Sequence, residues 1–261
     1  MANTNKTSWD LHAQRFYNES EHHSGGDLPL DYVNFDSCEY PSDRNLNIIG
    51  DVKDMTVLEI GSGSCNCGIA LARSGANVTC LDISQEQLNI GKEVAKKAGV
   101  VINFVCSDMA DLSFTDSDTV DLVISMSALD YVEDFNQVCS EVGRVLKNGG
   151  RFVFCATHPV MSCVAATELF PEENAPPNYN YRGAITWKWH QEDDFIFTTY
   201  RRQLSDFINA LSGNGLFTKR MEELFPILPL PNDNDFDENE LQVRTRFPSV
   251  LVIEAVKYFT N

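Results

Sequence analysis

The sequence predicts an α/β protein built on a parallel, doubly wound sheet. Three observations carry this. Short apolar runs rich in β-branched residues recur at 56–60, 78–84, 104–109, 120–126 and 151–157. Stretches with helical spacing lie between them. The first run, TVLEI, empties into a glycine-rich loop, GSGSCNCG at 61–68.

The runs VTCLDIS, FVCSDM, VDLVISM and RFVFCAT have the continuous apolar character of strands covered on both faces. A capping box from Ser84 to Gln87 opens a helix whose apolar positions are Leu88, Ile90 and Val94, and Gly99 closes it. Val138, Val142, Val145 and Leu146 form a second helical face, stopped by Asn148-Gly149-Gly150. Strand and helix thus alternate from 55 to 157. Ligands of such sheets bind beyond the carboxyl ends of the strands, so loops 61–68, 82–84, 108–111 and 126–131 should converge on one site.

After residue 160 the alternation stops. Residues 170–202 carry Phe170, Tyr179, Tyr181, Trp187, Trp189, Phe195, Phe197 and Tyr200, with AITWKWH and DFIFTTYR forming a short hairpin. Leu204, Phe207, Ile208 and Leu211 mark another helix, ended by Gly213 and Gly215. Two last strands follow near 216–225 and 249–257, separated by PLPNDNDFDENE, read as a solvated acidic loop. The chain reads as a single domain, 1–261, with its core at 45–159 and 203–261. Residues 160–202 are a cap insertion over the carboxyl edge of the sheet, joined by an N-terminal lid, 1–44.

Bulk properties narrow the function. Lys and Arg number 20 against 38 Asp and Glu, a formal charge of -18, which repels a phosphate backbone and argues against nucleic acid. No apolar segment is long enough to cross a bilayer and the N-terminus carries no targeting pattern, so a soluble, cytoplasmic protein without a membrane partner is expected. Of the eight cysteines, Cys80, Cys106 and Cys155 fall inside apolar strand runs, where a thiol acts as a small hydrophobe; reduced cysteines are expected.

The glycine loop admits four readings. A Walker phosphate loop fails for want of its lysine. A metal site from Cys65 and Cys67 lacks a second ligand pair, and the adjacent His22 and His23 read as a solvated loop, so no metal is expected. A dinucleotide fingerprint fits Gly61 and Gly63 but meets Asn66 where a third glycine belongs. The fourth ligand is S-adenosylmethionine, which needs close backbone approach but no pyrophosphate cradle.

VLEIGSGSCNCGIALA, VTCLDIS, VCSDMADLSF, VDLVISMSALDYVEDF and EVGRVLKNGGRFVF together resemble, in order and over about 100 residues, the motifs of class I S-adenosylmethionine-dependent methyltransferases. The resemblance implies a Rossmann-like, seven-stranded, mostly parallel sheet with an antiparallel last strand. It implies S-adenosylmethionine as cofactor, with Gly61 and Gly63 at its amino-acid end and Glu59 orienting that loop. Asp82 would accept from both ribose hydroxyls, beside Ile83, because a carboxylate offers two acceptor oxygens. Asp108 would accept from the adenine amine and the backbone of Met109 would address a ring nitrogen. Ser125 and Met126 would lie near the sulfonium, and Tyr17 would reach the cofactor from the lid. Cys65 stands where the family commonly has a further glycine, compatible with a side chain as long as this residue needs no positive φ.

For the transfer itself, alignment and exclusion of water dominate. His158, in the loop after the fifth strand, is the first candidate base; the alternative is a packed or capping histidine. Tyr131 and Asp130 would either orient the acceptor or cap the next segment. Trp9, His12, Phe16 and Tyr17 recur at helical spacing and are read as the lid rather than a plain core face. The aromatic insertion would wall a small planar acceptor or make a homodimer contact. The expected function is methyl transfer to an oxygen or nitrogen of a small aromatic or heterocyclic molecule. Methylation of a basic protein and a non-catalytic cofactor-binding regulator are the alternatives.

Overall fold

The apolar runs pair side by side in the computed structural model, which describes residues 4–23, 30–37, 39–165, 178–228 and 238–258. They form β1 (Thr56–Ile60), β2 (Asn77–Asp82), β3 (Asn103–Cys106), β4 (Val120–Met126) and β5 (Leu146–Thr157), all mutually parallel. With β8 (Leu216–Leu224) and β9 (Val250–Lys257) they make one seven-stranded sheet of order β3-β2-β1-β4-β5-β9-β8. The last strand, β9, is inserted between β5 and β8 and runs antiparallel to both, as expected. Strand order reverses between β1 and β4, the switch point at which open α/β sheets form a crevice.

Alternate side chains of each strand feed two cores. Val57, Leu122, Ile124 and Val153 pack with Ile69 of α3 (Asn66–Arg73) and Leu88 of α4 (Gln85–Ala98). Leu58, Val123, Phe152 and Phe154 pack with Val138 and Val142 of α5 (Phe135–Val145) and with Phe207 and Leu211 of α7 (Leu204–Gly213). This two-sided burial is why the strands read as unbroken apolar runs.

Three local expectations need correction. The helix before β5 ends at Val145; Leu146 is already extended (φ -67°, ψ 138°) and opens the strand. The capping box at α4 is half made. Ser84 Oγ accepts from Gln87 N at 3.2 Å, but Ser84 N donates to Asp82 Oδ1 instead of to Gln87. The acidic connection before β9 is not all loop: residues 229–237 lie outside the described residues, while α8 (Glu238–Arg246) begins at its end. Glu238 and Glu240 in the first turn and Arg244 and Arg246 in the last complement the helix dipole, and Arg244 pairs with Glu240 at 2.7 Å.

Two further segments reach the carboxyl edge. The hairpin β6 (Gly183–Trp187) and β7 (Phe197–Arg201) forms its own two-stranded sheet. Helix α1 (Thr4–His23) joins it to the core. Asn5 exchanges two 2.8 Å bonds with the backbone of Thr198, and Asp10 Oδ1 accepts from Ser84 Oγ at 2.7 Å, at the start of α4. Phe170 of the aromatic stretch lies outside the described residues.

The chain between α1 and β1 is stapled to the sheet by Arg151. Its guanidinium donates to the carbonyls of Ile48 (2.9 Å) and Ile49 (2.6 Å) and pairs with Glu254, which is 3 % exposed and also held by Lys219 at 3.0 Å. Replacing Arg151 by Met should therefore destabilise the fold by about 2–3 kcal/mol, less than a fully orphaned buried charge because Lys219 remains. Urea denaturation of the two proteins measures this.

Candidate active site

Beyond Ile60 the chain turns through Gly61 (φ +68°) and Gly63 (φ +52°), both left-handed. A Cβ on Gly61 would stand 2.4 Å from Ala128 Cβ and 2.9 Å from Met109 Cε, so glycine lets the loops after β1, β3 and β4 close on one another. Gly63 N donates to Asp82 Oδ2 at 2.8 Å and Ser84 N to Asp82 Oδ1 at 2.8 Å. Each carboxylate oxygen thus holds one backbone bond and keeps further acceptor capacity. Ser107 N donates to the carbonyl of Asp82 at 3.1 Å, which places Asp108 on the neighbouring strand end. Burial pushes Asp82 up to about 6. Below the loop, Glu59 Oε2 accepts from Gly68 N at 2.8 Å and from Cys80 Sγ at 3.3 Å, anchoring the first turn of α3. Burial pushes this carboxyl up to about 7.

Cys65 departs from expectation: it does take a positive φ, +63°, at the residue before α3. A side chain there costs about 1–2 kcal/mol relative to glycine. Its fully buried Sγ lies 3.4 Å from Ser62 Oγ and 3.5 Å from the carbonyl of Gly63. Room for it comes from α4, where a Cβ on Gly91 would meet Cys65 Sγ at 2.7 Å. Gly91→Ala should cost about 1–3 kcal/mol by overpacking, and distinctly less in a Cys65→Gly background; a double-mutant cycle by thermal or urea unfolding reads the coupling.

The strand ends open into one cleft of about 1510 Å³. Its far wall is aromatic. Trp9 of α1 meets Tyr131 edge-on (centroids 5.3 Å, 73°) and Phe197 at 4.8 Å, and Trp187 lies beside Trp189 at 5.6 Å. Tyr131 ends a short 3-10 turn, Leu129–Tyr131, tied down from two sides. Asp130 Oδ2 accepts from the backbone and hydroxyl of Thr157 (2.9 and 2.8 Å), and Arg202 donates to the carbonyls of Leu129, Val132 and Glu133.

Residues 58–154 match a family model described as a methyltransferase domain. Over that stretch the chain carries a methyltransferase domain similar to those of S-adenosylmethionine-dependent methyltransferases. Among solved structures, a Listeria monocytogenes protein named as an S-adenosylmethionine-dependent methyltransferase superimposes with TM-score 0.66 at 25 % identity, over 82 % of this chain and 96 % of that one. The uncharacterized methyltransferase YbaJ of Bacillus subtilis is 36 % identical over 110 residues, 42 % of this chain and 43 % of that protein. A ubiquinone biosynthesis O-methyltransferase of Colwellia psychrerythraea is 33 % identical over 101 residues, 39 % of this chain and 41 % of that protein. The matched stretch thus spans less than half of either curated relative.

S-adenosylmethionine is the cofactor of these methyltransferases, and the donor set suits it: a carboxylate with spare lone pairs, an open glycine backbone and acidic surroundings for a cation. Glu59, Gly61, Gly63, Asp82, Ile83, Asp108, Met109, Met126 and Tyr131 all border the cleft. Three expected members do not. Tyr17 packs on the core, while Asn5, Trp9, Phe16 and Ser20 of the same helix face the cleft; at about 100° per residue, position 17 is turned away from 16 and 20. Ser125 is fully buried with its Oγ unpartnered among the described residues, because strand alternation gives the cleft to Met126. His158 is the capping histidine. Its Nδ1 accepts from Val160 N at 3.1 Å at the start of α6 (Pro159–Val164), so Nε2 donates to Glu223 Oε1 at 2.8 Å. Burial lowers its pKa, and the residue is 4 % exposed and does not border the cleft.

Cleft residues that carried no sequence signal include the segment 34–40, Arg244 of α8, and Thr198, Thr199, Arg201 and Arg202 at the end of the hairpin. Asp36 accepts from Ser127 Oγ at 2.6 Å, and Arg244 donates to Tyr40 Oη at 3.0 Å. Cys106 is exposed at the end of β3 rather than packed inside it. The side chains of His22 and His23 lie outside the described residues, among which no group of three metal-ligating side chains occurs and no helix is long and apolar enough to span a membrane. Replacing His158 by Ala should lower stability by about 1 kcal/mol through the lost cap while leaving affinity for S-adenosylhomocysteine unchanged, as unfolding and calorimetry would show.

Proposed function

We propose that this protein transfers a methyl group from S-adenosylmethionine to an oxygen or nitrogen atom of a small molecule with an aromatic or heterocyclic body. The observation that carries this reading is the joint position of Asp82 and Asp108 on neighbouring strand ends, bordering a cleft whose opposite wall is aromatic. At about 1510 Å³ the cleft exceeds the ~300–1,000 Å³ of an ordinary ligand site, leaving room for an acceptor beside a cofactor. Asp82 would take the ribose hydroxyls, Asp108 the adenine amine, and the backbone at Gly61 and Gly63 the amino-acid end. When bound, the cofactor supplies an electrophilic methyl group; the chain's part is to align the acceptor and keep out water.

Helix α1 serves in this reading as a lid and the β6–β7 hairpin as a cap, with Trp9, Tyr131, Trp187 and Trp189 as the acceptor wall. The small-molecule assignment draws support from the ubiquinone biosynthesis O-methyltransferase among the relatives.

Calorimetry with S-adenosylmethionine, S-adenosylhomocysteine and nicotinamide cofactors tests the proposal: the S-adenosyl ligands should bind, and binding of a nicotinamide cofactor alone would sink it. Asp82→Ala should weaken S-adenosylhomocysteine by about 1–3 kcal/mol. Affinity should also depend on pH with a defined sign. Hydroxyl donors favour the charged carboxylate, so binding drags Asp82 below its free value of about 6 and releases a proton. Affinity should therefore rise as pH increases from 5 to 7 and level off above, a dependence that Asp82→Ala should flatten.

A further inference from the structure

The geometry points to an ammonium group as the feature by which the acceptor is recognised: we infer that Asp36, at the end of the cleft beside β4, binds a primary or secondary amine whose apolar body lies on the wall of Trp9 and Tyr131. This rests on the methyltransferase reading and narrows its acceptor from oxygen or nitrogen to an amine nitrogen.

Position comes first. Gly61 lies so close to Ala128 that no Cβ fits between them, so the glycine loop and the loop after β4 border one spot. Ser127, the residue before Ala128, holds a left-handed conformation (φ +53°) and hands its hydroxyl proton to Asp36 Oδ1 at 2.6 Å. A β-substituted residue in that conformation is strained, and strain of this kind persists where the surroundings enforce it. Asp36 is thereby fixed at the end of β4, beside the loop that closes on Gly61.

Charge comes next. Asp36 Oδ2 has no hydrogen-bond partner among the described residues, and the residue stays open to the cleft. The cations that border the same cleft are committed elsewhere. Arg202 is spent on backbone carbonyls, Lys188 on the carbonyls of Gln191 and Asp193, Arg201 donates to the carbonyl of Ser162, and Arg244, whose charge reaches Asp36, is hydrogen-bonded to Glu240 and Tyr40. A neutral acceptor would cover this carboxylate with no cation in hydrogen-bonding contact with it, which is costly. An ammonium brings both the opposite charge and two or three donors.

The wall agrees. Burial, with the nearby charges of Asp130 and Asp36, holds the pKa of the Tyr131 hydroxyl far above the usual value, so the ring faces the site as a neutral aromatic. Trp9 stacks edge-on against it at 5.3 Å. Aromatic faces beside a carboxylate attract a cation and also accept an apolar skeleton.

The chemistry closes. The bound ammonium gives one proton to Asp36, and the freed lone pair forms the N–C bond while the C–S bond breaks with its electron pair left on sulfur. One R–NH3+ and one S-adenosylmethionine yield R–NH2–CH3+, S-adenosylhomocysteine and a proton that passes from Asp36 to water.

The test is competitive in chemistry rather than in turnover. The full chain, saturated with S-adenosylhomocysteine, is titrated by calorimetry with phenethylamine and tryptamine, and with phenethyl alcohol and tryptophol, which keep the body and replace the ammonium. The amines should bind about tenfold or more tighter than the alcohols. Asp36→Asn should abolish that preference while its unchanged affinity for S-adenosylhomocysteine shows an intact fold. Alcohols equal to amines, no binding of either, or a preference that survives Asp36→Asn overturns the inference. Failure of the unaltered protein to bind S-adenosylhomocysteine strikes instead at the methyltransferase reading itself.

Discussion

The carboxylate of Asp82 is the joint on which the site depends. Its two oxygens accept from Gly63 N and Ser84 N, and its backbone carbonyl accepts from Ser107 N, so the loops after β1, β2 and β3 meet at one residue. Ser84 passes the connection on, capping α4 through Gln87 N and donating its hydroxyl proton to Asp10 of α1. The N-terminal helix therefore rests on the same short path of hydrogen bonds that shapes the proposed ribose site. Burial opposes charge on Asp82 while the backbone donors favour it, and the outcome is a carboxyl pushed up to about 6.

Two of the non-glycine residues with left-handed backbone stand near this joint, while Asn47, Asp54 and Asp118 hold the same conformation away from it. Cys65 and Ser127 both hold left-handed backbone without being glycine, and both are pinned by neighbours: Cys65 by the hollow at Gly91, Ser127 by Asp36. Glu59 adds a third buried constraint, holding α3 against β1 and β2 through Gly68 and Cys80. Conformations of this kind cost about 1–3 kcal/mol each and last only where packing enforces them.

What could be read in the sequence divides along this line. The alternation of strands and helices, the glycine loop and the two aspartates are local patterns: each residue's partner lies within a strand, a turn or the next helix. Asp82 and Gly63 are 19 residues apart within one βαβ unit, and the register of the unit brings them together. Asp36 and Ser127 are 91 residues apart, joined only once the segment stapled by Arg151 folds onto the sheet, and no spacing rule announces that contact. His158 was legible as a histidine near the strand ends, yet its direction is set by a proline-led helix start and by Glu223, 65 residues on. Tyr17 shows the finer limit: helical spacing identified the right helix, while the facing residue is decided by how the helix rolls against the hairpin. The helix at 238–246 was hidden because its acidic first turn has the composition of a loop.

The same division bears on how far the relatives inform this protein. The family match, 58–154, runs from β1 to β5 and contains Gly61, Asp82, Asp108 and Ser127. Trp9, Asp36, Trp187 and Trp189 all fall outside it, on α1, on the segment before β1 and on the hairpin. These elements meet the core through side-chain bonds such as Asn5 to Thr198 and Asp10 to Ser84, not through the sheet ladder. A wall attached in this way can change its chemistry without disturbing the strands beneath it. Likeness over the strands therefore carries the cofactor from one member to another but not the acceptor, and the acceptor of this chain has to be argued from Asp36 and the aromatic faces beside it.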